Sequence, residues 1–367
     1  MSIQPDKVQP KNKAQLKSLI EYAFNHNIYD LNFIDTSEIT DMSWLFEYIS
    51  CNFDISNWDV SNVKDMTGMF YCCYDFNCDL SNWNVSNVTN MHALFCECYK
   101  FTGKGLEHWN VSNVTDMASM FYYCKNFDCY LSSWDVSNVT NTAGMFYYCK
   151  NFDCDLSRLN VSNVTCMEYM FAGCEKFNCD LSDWNVSNVK DTKGMFDGCS
   201  IFTGEGIGYW DVSKVKDMHM MFADCDDFDC DLSNWNVSNV TTMNNMFDGC
   251  DNFKAKGLEN WNVSKVKNTH HMFAGCKKFD CDLSNWNVSN VTSMSGMFAY
   301  CWNWTGKGLE NWNVSNVKDM RDMFVNCKKF NCDLSYWDIS NMTRWKNTFC
   351  GCDKMTIPNW YKLYHKK

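Results

Sequence analysis

The ten residues from Asn82 to Met91 read NWNVSNVTNM, and most of them return, with small edits, every 25 or 26 positions. Aligned on tryptophan, the copies are anchored at Trp58, Trp83, Trp109, Trp134, Leu159, Trp184, Trp210, Trp235, Trp261, Trp286, Trp312 and Trp337. A period of this length belongs to leucine-rich-type solenoids. One such coil cannot bury its apolar side alone, whereas stacked coils share a continuous core. The repeat therefore overrides the two-domain expectation that 367 residues would otherwise raise.

In the copy from Leu80 to Cys98, Leu80, Trp83 and Val85 read as a short strand with apolar positions inward. Val88, Met91, Leu94, Phe95 and Cys98 follow at three- and four-residue steps, as on one face of a short helix. The fold class expected is an α/β repeat solenoid: a leucine-rich-type stack of coils with one parallel β-strand ladder and short helices. The serine three residues after each anchor never changes, as at Ser61, Ser86 and Ser112, and is expected to cap the helix or bond in a turn. The residue after each anchor is always Asn or Asp, as at Asp59 and Asn84. Bonding to local backbone or to the next coil is the expected role, with a polar binding face as the alternative.

Net charge is -12 and the sequence has no internal basic run; its basic cluster is the end, His365, Lys366 and Lys367. Such a chain is a poor candidate for phosphate backbones or anionic membranes. No signal peptide and no membrane span are visible. A cytoplasmic location is expected, with the cell surface by non-classical export as the alternative.

One column of the 24 cysteines follows the expected helix, as at Cys73, Cys98, Cys124 and Cys149. A second lies five residues on in seven coils: Cys78, Cys129, Cys154, Cys179, Cys230, Cys281 and Cys332. Buried free thiols are expected. Disulfides between neighbouring coils and a zinc site are the alternatives, though bridge geometry is narrow and no Cys-x-x-Cys or His-ended set occurs.

Copies differ in two places. Four insert glycines before the anchor, as in FTGKGLEHW ending at Trp109, and a turn variant that tunes curvature is expected there. The loop before the column cysteine is small or acidic in most coils, as at Asp197-Gly198. In the N-terminal half it is aromatic: Tyr71, Tyr122, Tyr123, Tyr147 and Tyr148, with Tyr99 and Tyr169 in neighbouring columns. One column of adjacent coils must lie side by side, so these tyrosines form the candidate partner-binding edge. The histidines His92, His219, His270 and His271 fall on distant coils and suggest no site. Every polar column recurs, and no coil holds a unique acid, base and nucleophile, so catalytic, cofactor-binding and metal residues are all read as none.

The expected organisation is residues 1–30 as an N-terminal tail and capping helix, 31–352 as the solenoid of about 13 coils, and 353–367 as a C-terminal cap and tail. Leu16, Leu19, Ile20, Tyr22 and Ala23 would share one face of the capping helix. A degenerate coil with Ile34, Met42, Leu45 and Phe46 would follow.

The stretch WNVSNVTNMHALFCECYKF and its copies resemble the BspA-like leucine-rich-repeat family, the W-[DN]-V-S-x-V-x-x-M-x-x-M-F-x-x-C repeats of domain of unknown function 285. The lead-in PKNKAQLKSLI and IDTSEITDMSWLF is similar to that family's usual start, and the resemblance spans about residues 8–352. It implies a right-handed solenoid and binding roles, often adhesion to host proteins or other cells, and no catalytic residues. The function expected is a non-enzymatic protein-binding scaffold with a protein partner, no nucleic acid, no membrane insertion, and a monomeric or weakly self-associating state. A structural component of a larger assembly, through lateral or end-to-end stacking, is the alternative.

Overall fold

A computed structural model describes residues 7–364, with Tyr364 by its main chain alone. The first residues of the expected tail and the basic end His365–Lys367 lie outside the described residues. The chain divides into two compact units, Met1–Cys179 and Asp180–Lys367.

In the first unit, parallel bridges join Asp41, Asp65, Asn90, Asp116, Asn141 and Cys166 in sequence. The second unit repeats the arrangement through Asp191, Asp217, Thr242, Asn268, Ser293, Asp319 and Arg344. These bridges sit within the segment expected to be helical, as Asn90 does between Val88 and Met91, and Leu80–Val85 is not a strand. The coil-to-coil pairing runs through Met91–Cys98 instead. Met91, Ala93, Phe95 and Glu97 donate their N–H groups to Asp116, Ala118, Met120 and Tyr122 of the next coil, at 2.6–3.0 Å. Leu94, Cys96 and Cys98 donate back three residues, to Met91, Ala93 and Phe95, at 3.0–3.2 Å. Every second amide thus leaves the coil, and these three close β-turns.

A helix is excluded here for a local reason. Ala93 and Glu97 have φ of 53° and 61°, and Gly68 and Cys72 of the coil before have 56° and 57°. Left-handed residues at every fourth position break an α-helix, which needs every amide turned to the residue four before. Consecutive turns still bring positions three and four apart to one side, so the apolar spacing is the same for both. Met91, Leu94, Phe95 and Cys98 are buried as expected.

The core is two stacked aromatic columns. Phe46, Phe70, Phe95, Phe121, Phe146 and Phe171 follow one another at centroid distances of 5.3–5.8 Å. Each of Phe70, Phe95, Phe121 and Phe146 also lies 4.0–4.2 Å from a second phenylalanine of its own coil, such as Phe76 or Phe101. The second unit has the same pairing, for example Phe222 with Phe228 at 4.2 Å.

The anchors explain themselves. Trp83 Nε1 donates to the Ile55 carbonyl of the preceding coil at 3.1 Å, Trp134 to Leu106 at 2.9 Å, and Trp286 to Leu258 at 2.7 Å. The Asn or Asp after the anchor accepts from the serine N–H two residues on, as at Asp59 with Ser61 (2.9 Å). The serine is therefore a turn residue, not a helix cap, because no helix follows it.

None of the 24 cysteines is held in a disulfide. The main column does more than fill space. The Sγ atoms of Cys73, Cys98, Cys124 and Cys149 donate to the carbonyls of Phe46, Phe70, Phe95 and Phe121 at 2.9–3.1 Å. At one gap in the second column Gly103 has φ of 87°, and a Cβ there would stand 2.6 Å from Cys129 Cβ. The same place in another glycine-bearing coil holds Ala255, at φ of 65°. The inserted turn is close-packed and not loose: a Cβ on Gly105 would lie 2.3 Å from the Ser81 amide nitrogen.

At the N-terminal end of the first unit, α1 (Lys13–Asn25) begins at Asn12, whose side chain accepts from the Gln15 N–H. It buries Leu16, Ile20 and Ala23, while Leu19 is half-buried and Tyr22 is 58% exposed, outside the expected face. Ile34, Met42, Leu45 and Phe46 are buried as expected. At the other end of the second unit, α2 (Asn359–Tyr364) carries Trp360, whose Nε1 donates to Leu334 at 2.9 Å. That bond copies the anchor's, so the cap retains one element of the repeat that its sequence had seemed to abandon.

The thiol bonds generate a prediction. Cys124→Ser keeps a donor for the Phe95 carbonyl, and Cys124→Ala removes it. Chemical denaturation should show the alanine variant less stable by about 1–2 kcal/mol, with serine between it and the parent. The reverse order would reduce the column to a set of small apolar residues.

Candidate interaction edge

The two positions after each buried phenylalanine form one edge. In the first unit they are Tyr71-Cys72, Cys96-Glu97, Tyr122-Tyr123, Tyr147-Tyr148 and Ala172-Gly173. The turn bonds hold this segment in register from coil to coil: Tyr123 N–H donates to the Tyr147 carbonyl and Tyr148 N–H to Ala172, both at 2.7 Å. Their side chains therefore stack. Tyr122 lies 4.5 Å from Tyr147 with planes 8° apart, and Tyr123 lies 4.8 Å from Tyr148 at 10°. The two stacks meet at a tilt, with Tyr122 and Tyr123 at 50° and Tyr147 and Tyr148 at 45°. Tyr169 closes one side, edge-on to Tyr147 at 5.9 Å.

The structure thus brings four of the five candidate tyrosines together. Tyr71 is apart from them: buried Cys96 occupies its column in the coil between, and its own neighbours are Trp44 and Tyr48, each 5.6 Å away. The four are half-buried, not loop tips. Tyr148 lies flat over Gly173, where a Cβ would come within 2.8 Å of its ring. Tyr123 and Tyr148 also carry φ of 58° and 56°.

Of the neighbouring-column tyrosines, Tyr99 also has a stacking partner, Tyr74, which the sequence reading does not name. Tyr74 stacks on Tyr99 at 4.9 Å, Tyr99 donates to Glu97 at 2.8 Å, and Lys125 Nζ stands 4.6 Å from the Tyr99 ring. Aligning every column, instead of the loop alone, would have found this pair. Tyr130, Tyr209 and Tyr336 are 77%, 84% and 88% exposed, but stand outside the edge with no such partners given by the repeat.

At neutral pH two groups of this edge are held protonated. Burial, and then the Glu97 carboxylate, push the Cys96 thiol up to about 12. The neighbouring Cys72 is the first cause, and burial the second, that pushes the Tyr71 phenol up to about 12. Thiols and phenols that stay protonated present apolar faces and O–H donors, which suit recognition more than covalent chemistry.

In the second unit the corresponding positions hold Asp197, Asp224 and Asp248, and burial, then the charges of Asp224 and Asp248, push the Asp197 carboxyl up to about 6. The histidines are less scattered than their spacing suggests. His270 and His271 stack at 4.1 Å, and His271 Nδ1 lies 3.5 Å from the Asp248 carboxylate, which Asn245 also bonds at 2.8 Å. Farther along, Tyr300 and Trp302 are 47% and 38% exposed, and Lys277 and Lys328 each stand 5.4 Å from the Trp302 ring. Among the described residues no group of three or more His, Cys, Asp or Glu side chains could hold a metal ion.

These features define a repeat protein whose invariant columns build the stack and whose variable edge differs along the chain. The chain belongs to the family described as Mycoplasma protein of unknown function, DUF285, whose profile matches residues 14–128, 100–206, 180–256 and 245–360. No curated protein matches. Among solved structures, the chain is similar to a leucine-rich repeat protein from Eubacterium ventriosum ATCC 27560, at 13% identity over 92% of this chain and 87% of that one, with a TM-score of 0.36. A likeness that loose transfers no property. Among the described residues, no helix is long and apolar enough to cross a membrane.

The raised Asp197 carboxyl sets a pH dependence. Asp197 titrates near its ordinary value of 3.8 in the unfolded chain and at about 6 in the fold. A raised carboxyl costs stability once it ionises, so stability is lost as pH rises from about 4 to about 6. Asp197→Asn should be more stable than the parent at pH 7, and this advantage should vanish by pH 4 in melting experiments. An advantage independent of pH would show that the charge is not the cause.

Proposed function

We propose that the protein is a non-enzymatic protein-binding scaffold, and that its partner docks on the edge formed by Tyr122, Tyr123, Tyr147 and Tyr148, with Tyr71 at its margin. The observation that carries this reading is the pair of parallel tyrosine stacks at 4.5 and 4.8 Å. Packing explains why scaffold positions recur; it does not require four tyrosines here, since Ala172 and Gly173 serve in the next coil. Tyrosine carries large contact area with few torsions to freeze and a polar tip, which is why it is enriched at binding hot spots. We also place the folded chain in a reducing compartment, because each main-column thiol described above must keep its proton to bond the preceding coil.

The test is a comparison of captures. The parent and a Tyr122→Ser, Tyr123→Ser, Tyr147→Ser, Tyr148→Ser variant are used as bait in native-host extract, and proteins held by the parent are purified and titrated against both. The variant should keep its melting transition, since main-chain bonds hold the coils, and should lose at least about 2 kcal/mol, roughly 30-fold, in affinity. A Tyr130→Ser, Tyr209→Ser, Tyr336→Ser variant should bind as the parent does. Equal binding by the first variant refutes the edge. Filaments that grow with concentration and leave that edge open would instead favour the structural-assembly role.

A further inference from the structure

The sequence Ser-Asn-x-Thr occurs at Asn87, Asn113, Asn138 and Asn163 of the first unit and at Asn239, Asn290 and Asn341 of the second. Each is formally an acceptor motif for N-linked glycan, a motif that ordinarily signals an exposed loop. Here the acceptor nitrogen is already in use. Asn87 Nδ2 donates to the Ser61 carbonyl of the preceding coil, Asn113 to Ser86, Asn138 to Ser112 and Asn163 to Ser137, all at 2.7 Å. The three copies in the second unit bond likewise, at 2.7–2.8 Å. The threonine hydroxyls are also turned to the stack: Thr89, Thr115, Thr140 and Thr165 donate to the preceding coil at 3.2 Å.

A second set of motifs, Asn-Val-Ser after the anchor, makes the contrast. Asn84, Asn110 and Asn160 are exposed, as the ladder asparagines also are, but they accept the serine N–H through Oδ1 at 3.2 Å and their amide nitrogens make no bond to the protein. A substituent on those nitrogens would break nothing.

N-glycosylation transfers an oligosaccharide from a lipid-pyrophosphate donor. An Nδ2–C bond replaces one Nδ2–H, the nitrogen's proton is lost, and the lipid pyrophosphate leaves. The modified nitrogen keeps one N–H, so at Asn87 the ladder bond survives only if the sugar on that same nitrogen fits beside the Ser61 carbonyl, 2.7 Å away. Paired backbones lie about 4.8 Å apart, less than the breadth of a pyranose, and Asn113 repeats the demand one coil on. We propose that the Ser-Asn-x-Thr asparagines are a structural ladder that must remain unmodified, so that the chain reaches its fold only where no N-glycosylating oligosaccharyltransferase acts on it. This rests on the compartment reading above and extends it from thiol chemistry to amide chemistry.

The experiment expresses the full chain in eukaryotic cells, in the cytosol and behind a cleavable secretory signal. Alongside runs a variant with all seven ladder motifs removed by Thr→Lys. The chain itself places lysine at that position in Lys64, Lys190, Lys216, Lys267 and Lys318. Where the lysine set fails to fold in the cytosol, a Thr→Val set takes its place. Occupancy is read by peptide mass spectrometry after enzymatic deglycosylation in heavy-oxygen water, and folding by secretion and thermal melting. The parent sent through the secretory route should carry glycan at ladder asparagines and be secreted at least tenfold less than the variant, which should emerge folded even with glycan at Asn84 and its copies. Folded, secreted parent with glycan at Asn87 overturns the proposal, as do ladder asparagines that emerge unmodified. A motif-free variant that folds in the cytosol and fails in the secretory route also overturns it. That result leaves thiol oxidation as the barrier and the reducing-compartment reading intact.

Discussion

The structure depends on one backbone pattern: in Met91–Cys98 and its copies, every second amide bonds the next coil, while of the alternate ones the first bonds the side chain two residues before, as His92 does Asn90, and the rest bond back three residues. A buried amide without a partner is expensive, and this division leaves none over in the segment. It also fixes the coils in register, so that a given column meets itself at every step. Left-handed residues such as Gly68 (56°), Ala93 (53°) and Tyr123 (58°) are its conformational cost, of the order of 1 kcal/mol wherever a side chain is present. The cost recurs in each coil and is offset by the bonds it permits.

Register turns single side chains into ladders. Once Phe70 must face Phe95, ring stacks form at 5.3 Å without further instruction. The same register carries the tryptophan, asparagine and thiol bonds, each of which ties one coil to the coil before. The polar ladders compete for no partner: tryptophan takes the carbonyl of Leu or Ile, asparagine that of Ser, and cysteine that of Phe. Leu159 shows that one missing tryptophan is tolerated; the position remains buried at 6% exposure. Backbone conformation also bears on sequence, as where Gly103, at φ of 87°, interrupts the second cysteine column.

Columns, buried faces and the clustering of Tyr122, Tyr123, Tyr147 and Tyr148 were legible in the sequence, because a repeat reports its own packing. Secondary structure was not. Steps of three and four residues put Met91, Leu94, Phe95 and Cys98 on one side in a helix and equally in a run of β-turns, and apolar spacing alone does not separate them. The decisive signal was φ, and only part of it was visible: glycine at position 68 suggests a left-handed residue, whereas Ala93 and Glu97 do not. Trp360 was hidden for another reason, since its spacing from Trp337 breaks the period while its indole bond preserves it. The pairing of His271 with Asp248 was missed because it joins different columns of neighbouring coils.

The edge is where this economy of columns leaves freedom. Its main-chain amides are engaged by turn bonds and coil-to-coil bonds in alternation, so its side chains need only be compatible with the turn. Alanine, glycine, aspartate and tyrosine all meet that condition in different coils. What differs is the consequence of repetition. Aspartates gathered on neighbouring coils are unfavourable: burial, and then the charges of Asp224 and Asp248, lift Asp197 to about 6. Tyrosines placed in register attract, stacking at 4.5 and 4.8 Å, and hold a fixed aromatic surface before any partner arrives. Rigid aromatic area loses little entropy on binding, so the scaffold that orders these rings also lowers the cost of recognition.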